Sequence, residues 1–318
     1  MAVFAQAPSK APPAQANDQD LPAAIKVDVD LVSVLTSVRD KRGGLVANLE
    51  KNDFTVLEDG KPQTIKYFSR ETDLPLTIGL LVDVSGSQRN LIEVERSAAS
   101  QFFGQVLRKK DEAFLISFGS EAELLQDYTS STRLLNEGLG RLRPDSAVGG
   151  LHPGPVPTIS QPRGTVMFDA IYLAAAEKLK TEVGRKVIVV ITDGVDQGSR
   201  LTLAKAVEAA QKADSVIYSI EYYDPGAYGM FGGGGGEGTL RKISEETGGH
   251  VFKVDRKNSL QQIFQQLQQE MRSQYMIGYT PANDVKDGSY RKLEIKLANK
   301  DLKAQARKGY YAIKPESR

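Results

Sequence analysis

The stretch Leu76-Thr77-Ile78-Gly79-Leu80-Leu81-Val82 runs directly into Asp83-Val84-Ser85-Gly86-Ser87, and a second apolar run, Val187-Ile188-Val189-Val190-Ile191-Thr192, ends in Asp193-Gly194. Unbroken apolar runs of this kind read as strands buried on both faces, the pattern of a parallel sheet covered by helices. Such a sheet collects ligands at the carboxyl ends of its strands. Both acids therefore belong to one crevice, joined there by the hydroxyls of Ser85 and Ser87. No thiol or imidazole stands near them, so the site is built from hard oxygens, a donor set that suits Mg2+ or Mn2+.

On either side of these runs, from residue 74 to residue 273, strands alternate with helical stretches, the signature of βαβ units. Leu91, Val94, Ala98, Phe102 and Val106 fall at helical spacing and predict one buried helix face. Strands are expected at 113–118, 123–125, 215–222 and 251–254, and helices at 132–142, 168–179, 203–212, 239–247 and 260–272. The sum is a six-stranded, mostly parallel sheet with helices on both faces. In the last helix Ile263, Phe264 and Leu267 keep helical spacing inside the glutamine-rich run 261–269, which makes that run a helix face.

The flanks have a different period. Lys26 to Leu35 alternates, Glu58-Asp59-Gly60 marks a hairpin, and alternation returns from Tyr275, with a turn at Asp287-Gly288. Each flank carries too few strands to be stable alone. Together they are expected to form one small antiparallel β-sandwich into which the α/β domain is inserted. The expected organisation is a disordered segment 1–24, a first β part 25–73, the α/β domain 74–273 and a second β part 274–314.

Of 318 residues, 41 are Lys or Arg and 40 are Asp or Glu, a net charge of +1 that gives no sign of attraction to nucleic acid or acidic lipid. With no cysteine and only His152 and His250, disulfides, thiolate zinc sites and histidine-rich centres are excluded. No apolar stretch approaches the ~20 residues of a membrane span. The first residues are rich in Ala, Pro and Gln, and Ala5-Gln6-Ala7 is like the small-residue end of a secretory signal without its apolar region, so export with the signal removed is expected.

Asp83-x-Ser85-x-Ser87 after the first strand, Gly164-Thr165-Val166-Met167-Phe168-Asp169 before a helix, and Thr192-Asp193-Gly194 after a later strand resemble the three loops of the von Willebrand factor type A (VWA) domain. The resemblance covers roughly residues 74 to 273 and implies a Rossmann-like fold. In that family the loops form the metal-ion-dependent adhesion site (MIDAS). Carried over, this implies that Ser85 and Ser87 bind Mg2+ or Mn2+ directly, Asp83 and Asp193 mainly through waters, and Thr165 directly in the ligand-ready state. It further implies that an Asp or Glu of a partner protein completes the shell. The flanking Asp53-Phe54-Thr55-Val56 and Arg307-Lys308-Gly309-Tyr310-Tyr311 resemble those of bacterial (Acidobacteria-type) VWFA-related proteins. Asp169, inside the expected helix, is read as a brace between loops. The long loops 144–163 and 224–238, with Tyr228, Met230 and Phe231, are either a binding rim or a solvated linker.

A serine hydrolase would need a histidine base and a G-x-S-x-G elbow, and Val84-Ser85-Gly86 supplies neither. A metal-dependent phosphatase is the competing enzyme class, but no phosphate-binding G-x-x-x-x-G-K loop is present. A structural module with an empty site is the third reading. The expected protein is a non-enzymatic adhesion or binding module.

Overall fold

A computed structural model describes residues 31–71, 74–145, 164–224 and 236–313. The expectations for residues 1–24, including the signal-like end, and for His152, Tyr228, Met230, Phe231 and nearly all of the two long loops lie outside the described residues. In chain order the elements are β1 (Val32–Arg39), β2 (Phe54–Glu58), β3 (Lys61–Gln63), β4 (Ile65–Glu71), β5 (Leu76–Asp83), α1 (Ile92–Val106), β6 (Glu112–Phe118), β7 (Ala122–Thr129), α2 (Thr132–Leu139) and α3 (Met167–Tyr172). They continue with β8 (Arg185–Thr192), α4 (Leu203–Lys212), β9 (Ser215–Glu221), α5 (Glu237–Thr247), β10 (Val251–Lys253), α6 (Leu260–Met271), β11 (Gln274–Tyr279), β12 (Tyr290–Leu297), β13 (Lys303–Ala306) and β14 (Gly309–Tyr311).

Six strands form the central sheet in the order β10-β9-β8-β5-β6-β7, with every neighbouring pair parallel except β6 and β7. Every residue of β5 and β8 is buried, as unbroken apolar runs require of strands covered on both faces. On one face α1, α2 and α6 close the core, and Phe102 stacks on Phe264 at 4.4 Å between ring centroids. On the other, α3, α4 and α5 do the same. Helix α6 opens with a capping box between Ser259 and Gln262 and buries Leu260, Ile263, Phe264 and Leu267, leaving much of the glutamine run outside. The helix after Thr165 is α-helical only to Tyr172 and widens into a π-helical segment over Leu173–Leu179.

One expected helix face is rotated. Val94 is 49% exposed, whereas Glu95 beside it is fully buried. The buried stripe of α1 is Ile92, Glu95, Ala98, Ala99, Phe102, Phe103 and Val106. Two adjacent phenylalanines both turn inward, and their apolar area outweighs that of one valine, so the face rotates toward position 95.

The flanking strands form two four-stranded antiparallel sheets, β13-β1-β11-β4 and β14-β12-β2-β3, each drawn from both ends of the chain. Val32 pairs with Tyr279 and Glu58 with Leu293. Val34, Phe54, Val56, Tyr275, Ile277 and Leu293 meet in one core between the sheets. The architecture is a Rossmann-like α/β domain inserted in an antiparallel sandwich.

Candidate metal centre

Strand β5 ends one residue short of a sharp turn, and the chain then tightens into a 3-10 turn over Gly86–Gln88. The Ser85 N–H donates to Asp83 Oδ1 at 2.9 Å, folding the loop back over the strand end. Strands β5 and β8 run in register with Val82 beside Ile191, so the next residue of β8 meets Asp83: Thr192 Oγ1 donates to Asp83 Oδ2 at 2.6 Å. Both carboxylate oxygens of this fully buried acid are thus engaged.

The hydroxyls continue the chain of contacts. Ser85 Oγ lies 3.1 Å from Ser87 Oγ, and Ser87 Oγ donates to Asp193 Oδ2 at 2.7 Å. Asp193 is held from behind, its Oδ1 accepting the Val195 N–H at 3.0 Å, and the Gly194 N–H donates to Thr192 Oγ1. Gly194 adopts φ +82°, and a Cβ there would lie 2.8 Å from the Gly236 backbone, so the turn after β8 requires glycine.

Thr165 reaches the same end of the sheet through its backbone. Val166 N–H donates to the carbonyl of Gly119, just past β6, and the Thr165 carbonyl accepts the N–H groups of Gln197 and Gly198 at 3.1 Å each. Asp169 accepts from the N–H groups of Arg200 and Leu201, while Asp196 accepts from Phe168 N–H and Ser199 Oγ. Asp169 therefore braces the loop before α3 against the loop after Asp193. Among the described residues the Thr165 hydroxyl is not part of the Asp83-Ser85-Ser87-Asp193 chain of hydrogen bonds.

The Asp83 carboxyl is raised to about 7, chiefly by burial and further by the charge of Asp193, against the lowering effect of hydrogen bonds from Ser85 and Thr192. A bound cation reverses that balance by favouring the ionised form. The donor set fits such an ion. An octahedral shell with metal–oxygen distances of about 2.0 to 2.1 Å places neighbouring oxygens about 2.9 Å apart. The 3.1 Å between Ser85 Oγ and Ser87 Oγ, the two hydroxyls expected to touch the ion directly, is close to that edge. Among the described residues no three His, Cys, Asp or Glu side chains gather as for an acid- or imidazole-rich centre, so an ion here would rest on hydroxyls, carboxylates and water.

Sequence reasoning named Asp83, Ser85, Ser87, Thr165 and Asp193, and the structure links four of them in one run of hydrogen bonds, whereas Thr165 stands outside it, its carbonyl bonded to Gln197 and Gly198. It quoted Thr192 in the third motif but gave it no role at the site, although its hydroxyl ties the two aspartate strands together. Asp196 was missed as well, because its role is to receive N–H groups from a distant loop. Asp145 was also missed: it accepts from Ser120 N–H and donates its own N–H to Val84 O.

A family model of the von Willebrand factor type A domain matches residues 77–266. Among solved structures, the chain is 20% identical to an aerotolerance-related membrane protein of Bacteroides fragilis, with a TM-score of 0.47 over 62% of this chain and 98% of that one. It is 18% identical to BatB of Bacteroides thetaiotaomicron, with a TM-score of 0.46 over 62% and 97%. Proximal thread matrix protein 1 of the mussel byssus, solved with a zinc-occupied MIDAS motif, is 15% identical, with a TM-score of 0.48 over 67% and 49%. No curated protein matches the chain.

Proposed function

Because the chain belongs to the von Willebrand factor type A domain family, we propose that Asp83, Ser85, Ser87, Thr165 and Asp193 hold a divalent cation, Mg2+ or Mn2+, through which the protein binds an Asp or Glu of a partner. The observation that carries this reading is the convergence of two hydroxyls and two carboxylates from separate strand ends, Ser85 Oγ lying 3.1 Å from Ser87 Oγ and Ser87 Oγ donating to Asp193 Oδ2 at 2.7 Å, beside the buried Asp83. The ion would supply an electrophilic centre. The chain itself leaves Ser85 and Ser87 half-buried, holds Asp83 through Ser85 and Thr192, and fixes Asp193 through Val195. Neutral hydroxyl ligands leave the charge of the ion less compensated than carboxylates would, which favours capture of an outside carboxylate. This is binding and not turnover: the site lacks a histidine base and a phosphate-cradling loop.

The decisive test is titration of EDTA-stripped protein with MgCl2 and with MnCl2 by calorimetry. One ion per chain is expected, with affinity lowered about tenfold or more in Ser87→Ala and Asp193→Ala, the scale of losing one strong contact. Wild-type protein that takes up neither ion rejects the reading. Partner binding should require Mg2+ or Mn2+ and reverse with EDTA. Export is part of the same proposal, supported by the Ala5-Gln6-Ala7 pattern, and is tested by fractionating source cells.

A further inference from the structure

Two of the loops that carry the proposed ligands hang from one strand end. Beyond Phe118, the last residue of β6, the chain turns at Gly119 and Ser120 toward β7. The Val84 N–H donates to the Phe118 carbonyl at 2.8 Å, and the Val166 N–H donates to the carbonyl of the next residue, Gly119, at 2.9 Å. Val84 stands between Asp83 and Ser85, and Val166 follows Thr165. The turn after β6 therefore sets how Thr165 stands relative to the serine loop.

Asp145 locks that turn. Its N–H donates to the Val84 carbonyl at 2.6 Å, and its Oδ2 accepts the Ser120 N–H at 2.6 Å. With the bond from Val84 to Phe118, these contacts close a ring through Val84, Phe118, Gly119, Ser120 and Asp145. The Asp145 side chain also lies directly against Gly119, where an added Cβ would come 2.8 Å from Oδ2 and 3.0 Å from the aspartate Cβ. Glycine at 119 is what lets the carboxylate approach the turn so closely. Both hydrogen bonds of Asp145 thus go to the backbone that carries or supports a proposed ligand, one on the serine loop and one on the turn that holds Val166.

We propose that Asp145 is the positioning residue for Thr165: by fixing the turn after β6 against the serine loop, it holds Thr165 where Mg2+ needs it. The inference rests on the metal reading above and adds to it a residue outside the three loops. Mg2+ demands near-ideal octahedral geometry at about 2.0 to 2.1 Å, whereas Ca2+ accepts flexible shells at about 2.3 to 2.6 Å. A residue that sets the place of a ligand therefore matters more for Mg2+ than for Ca2+.

The experiment takes full-length, EDTA-stripped wild type, Asp145→Ala, Asp145→Asn, Asp145→Glu, Thr165→Ala and the double variant of Asp145→Ala with Thr165→Ala. Each is melted without metal and titrated with MgCl2 and with CaCl2 by calorimetry. Asp145→Ala should bind Mg2+ about tenfold more weakly or worse, the scale of losing a group that orients a ligand, with a smaller loss for Ca2+. Asp145→Asn keeps a carbonyl oxygen for the Ser120 N–H and should retain most of the wild-type affinity. Asp145→Glu keeps the charge but moves it by one methylene, so it should lose affinity as Asp145→Ala does, and it replaces Asp145→Ala in the cycle if melting shows that variant unfolded. In the Thr165→Ala background the change at Asp145 should cost nothing more, because the residue it positions has lost its hydroxyl.

The inference is overturned by unchanged Mg2+ affinity in the Asp145→Ala and Asp145→Glu variants, by equal losses for both ions, or by a loss of the same size with and without the Thr165 hydroxyl. A loss in Asp145→Asn as large as in Asp145→Ala also overturns it, since charge and not position would then be the cause. Thr165→Ala that binds Mg2+ as wild type does removes this inference but leaves the other ligands standing. Failure of the wild type to bind Mg2+ is a different result: it removes the metal reading itself, and the role of Asp145 with it.

Discussion

Thr192 shows how one side chain sets the geometry of the whole site. Its hydroxyl donates to Asp83 and accepts from Gly194 N–H, so it links the ends of two strands and turns the chain toward Asp193. Valine has nearly the same shape but no hydroxyl. Thr192→Val is therefore expected to leave Asp83 Oδ2 buried without a partner and to destabilise the metal-free protein by about 1 to 3 kcal/mol. Equilibrium urea unfolding reads that loss, and Mg2+ titration should show weaker binding even though no proposed ligand has been removed. Asp83→Asn carries the complementary expectation. It retains hydrogen-bonding atoms toward Ser85 and Thr192 but loses the charge, so the fold should persist while the Mg2+-induced rise in melting temperature disappears.

Between elements, the approach of two loops decides where Thr165 sits. A Cβ on Gly198 would lie 2.1 Å from the carbonyl oxygen of Gly164, closer than any real contact allows. Gly198→Ala must push the loop before α3 away from the loop after Asp193. The expected result is a loss of about 1 to 3 kcal/mol together with weaker Mg2+ binding, measured by calorimetry on the folded variant. Helix α6 and strand β1 meet at Glu270, which is fully buried and accepts from Ser37 Oγ at 2.9 Å and Arg39 Nη2 at 2.5 Å, with His250 Nδ1 at 3.4 Å. Burial pushes the Glu270 carboxyl up, but His250, Arg39 and Ser37 outweigh it and hold it below its ordinary value of 4.5. A depressed acid stabilises the fold fully above its unfolded value and loses that contribution as pH falls through its folded value. Glu270→Gln should cost about 3 kcal/mol at pH 7, and the difference from wild type should shrink on acidification below 4.5. A difference that stays constant down to that pH would contradict the assignment.

At the scale of the whole molecule, the sandwich is closed by both ends of the chain and fastened to the inserted domain. Besides Glu270, Arg307 pairs with Asp214 at 2.5 Å, Gln305 Nε2 donates to the Gly249 carbonyl at 2.8 Å, and Lys308 N–H donates to the Glu246 carbonyl at 3.1 Å. These contacts join β1, β13 and the turn after it to α5, α6 and the start of β9. A single cooperative transition is therefore expected in calorimetric melting of the whole chain, and a fragment of residues 74–273 should melt at a lower temperature because Glu270 loses Ser37 and Arg39. Two well-separated transitions in the whole chain would show that sandwich and α/β domain are energetically independent. Among the described residues no helix is long and apolar enough to cross a membrane.

Much of the fold could be read from local patterns. Unbroken apolar runs announced β5 and β8, the change from period two to helical spacing separated sandwich from α/β domain, and the position of Asp83 and Asp193 at strand ends placed both acids in one crevice, because these features depend only on neighbours in the chain. Rotation of α1 could not be read in this way, since it depends on how Phe102 and Phe103 compete for space against the sheet and α6. The same holds for Thr192 bridging to Asp83 across 109 positions, for Asp196 reaching Phe168, and for the unpartnered carboxylate of Glu95. Sequence determined which oxygens are available and at which strand ends. Tertiary packing decided which of them touch and which carboxyl is left buried without a partner, because hydrogen bonding and desolvation are set by whatever neighbours folding brings within a few ångströms.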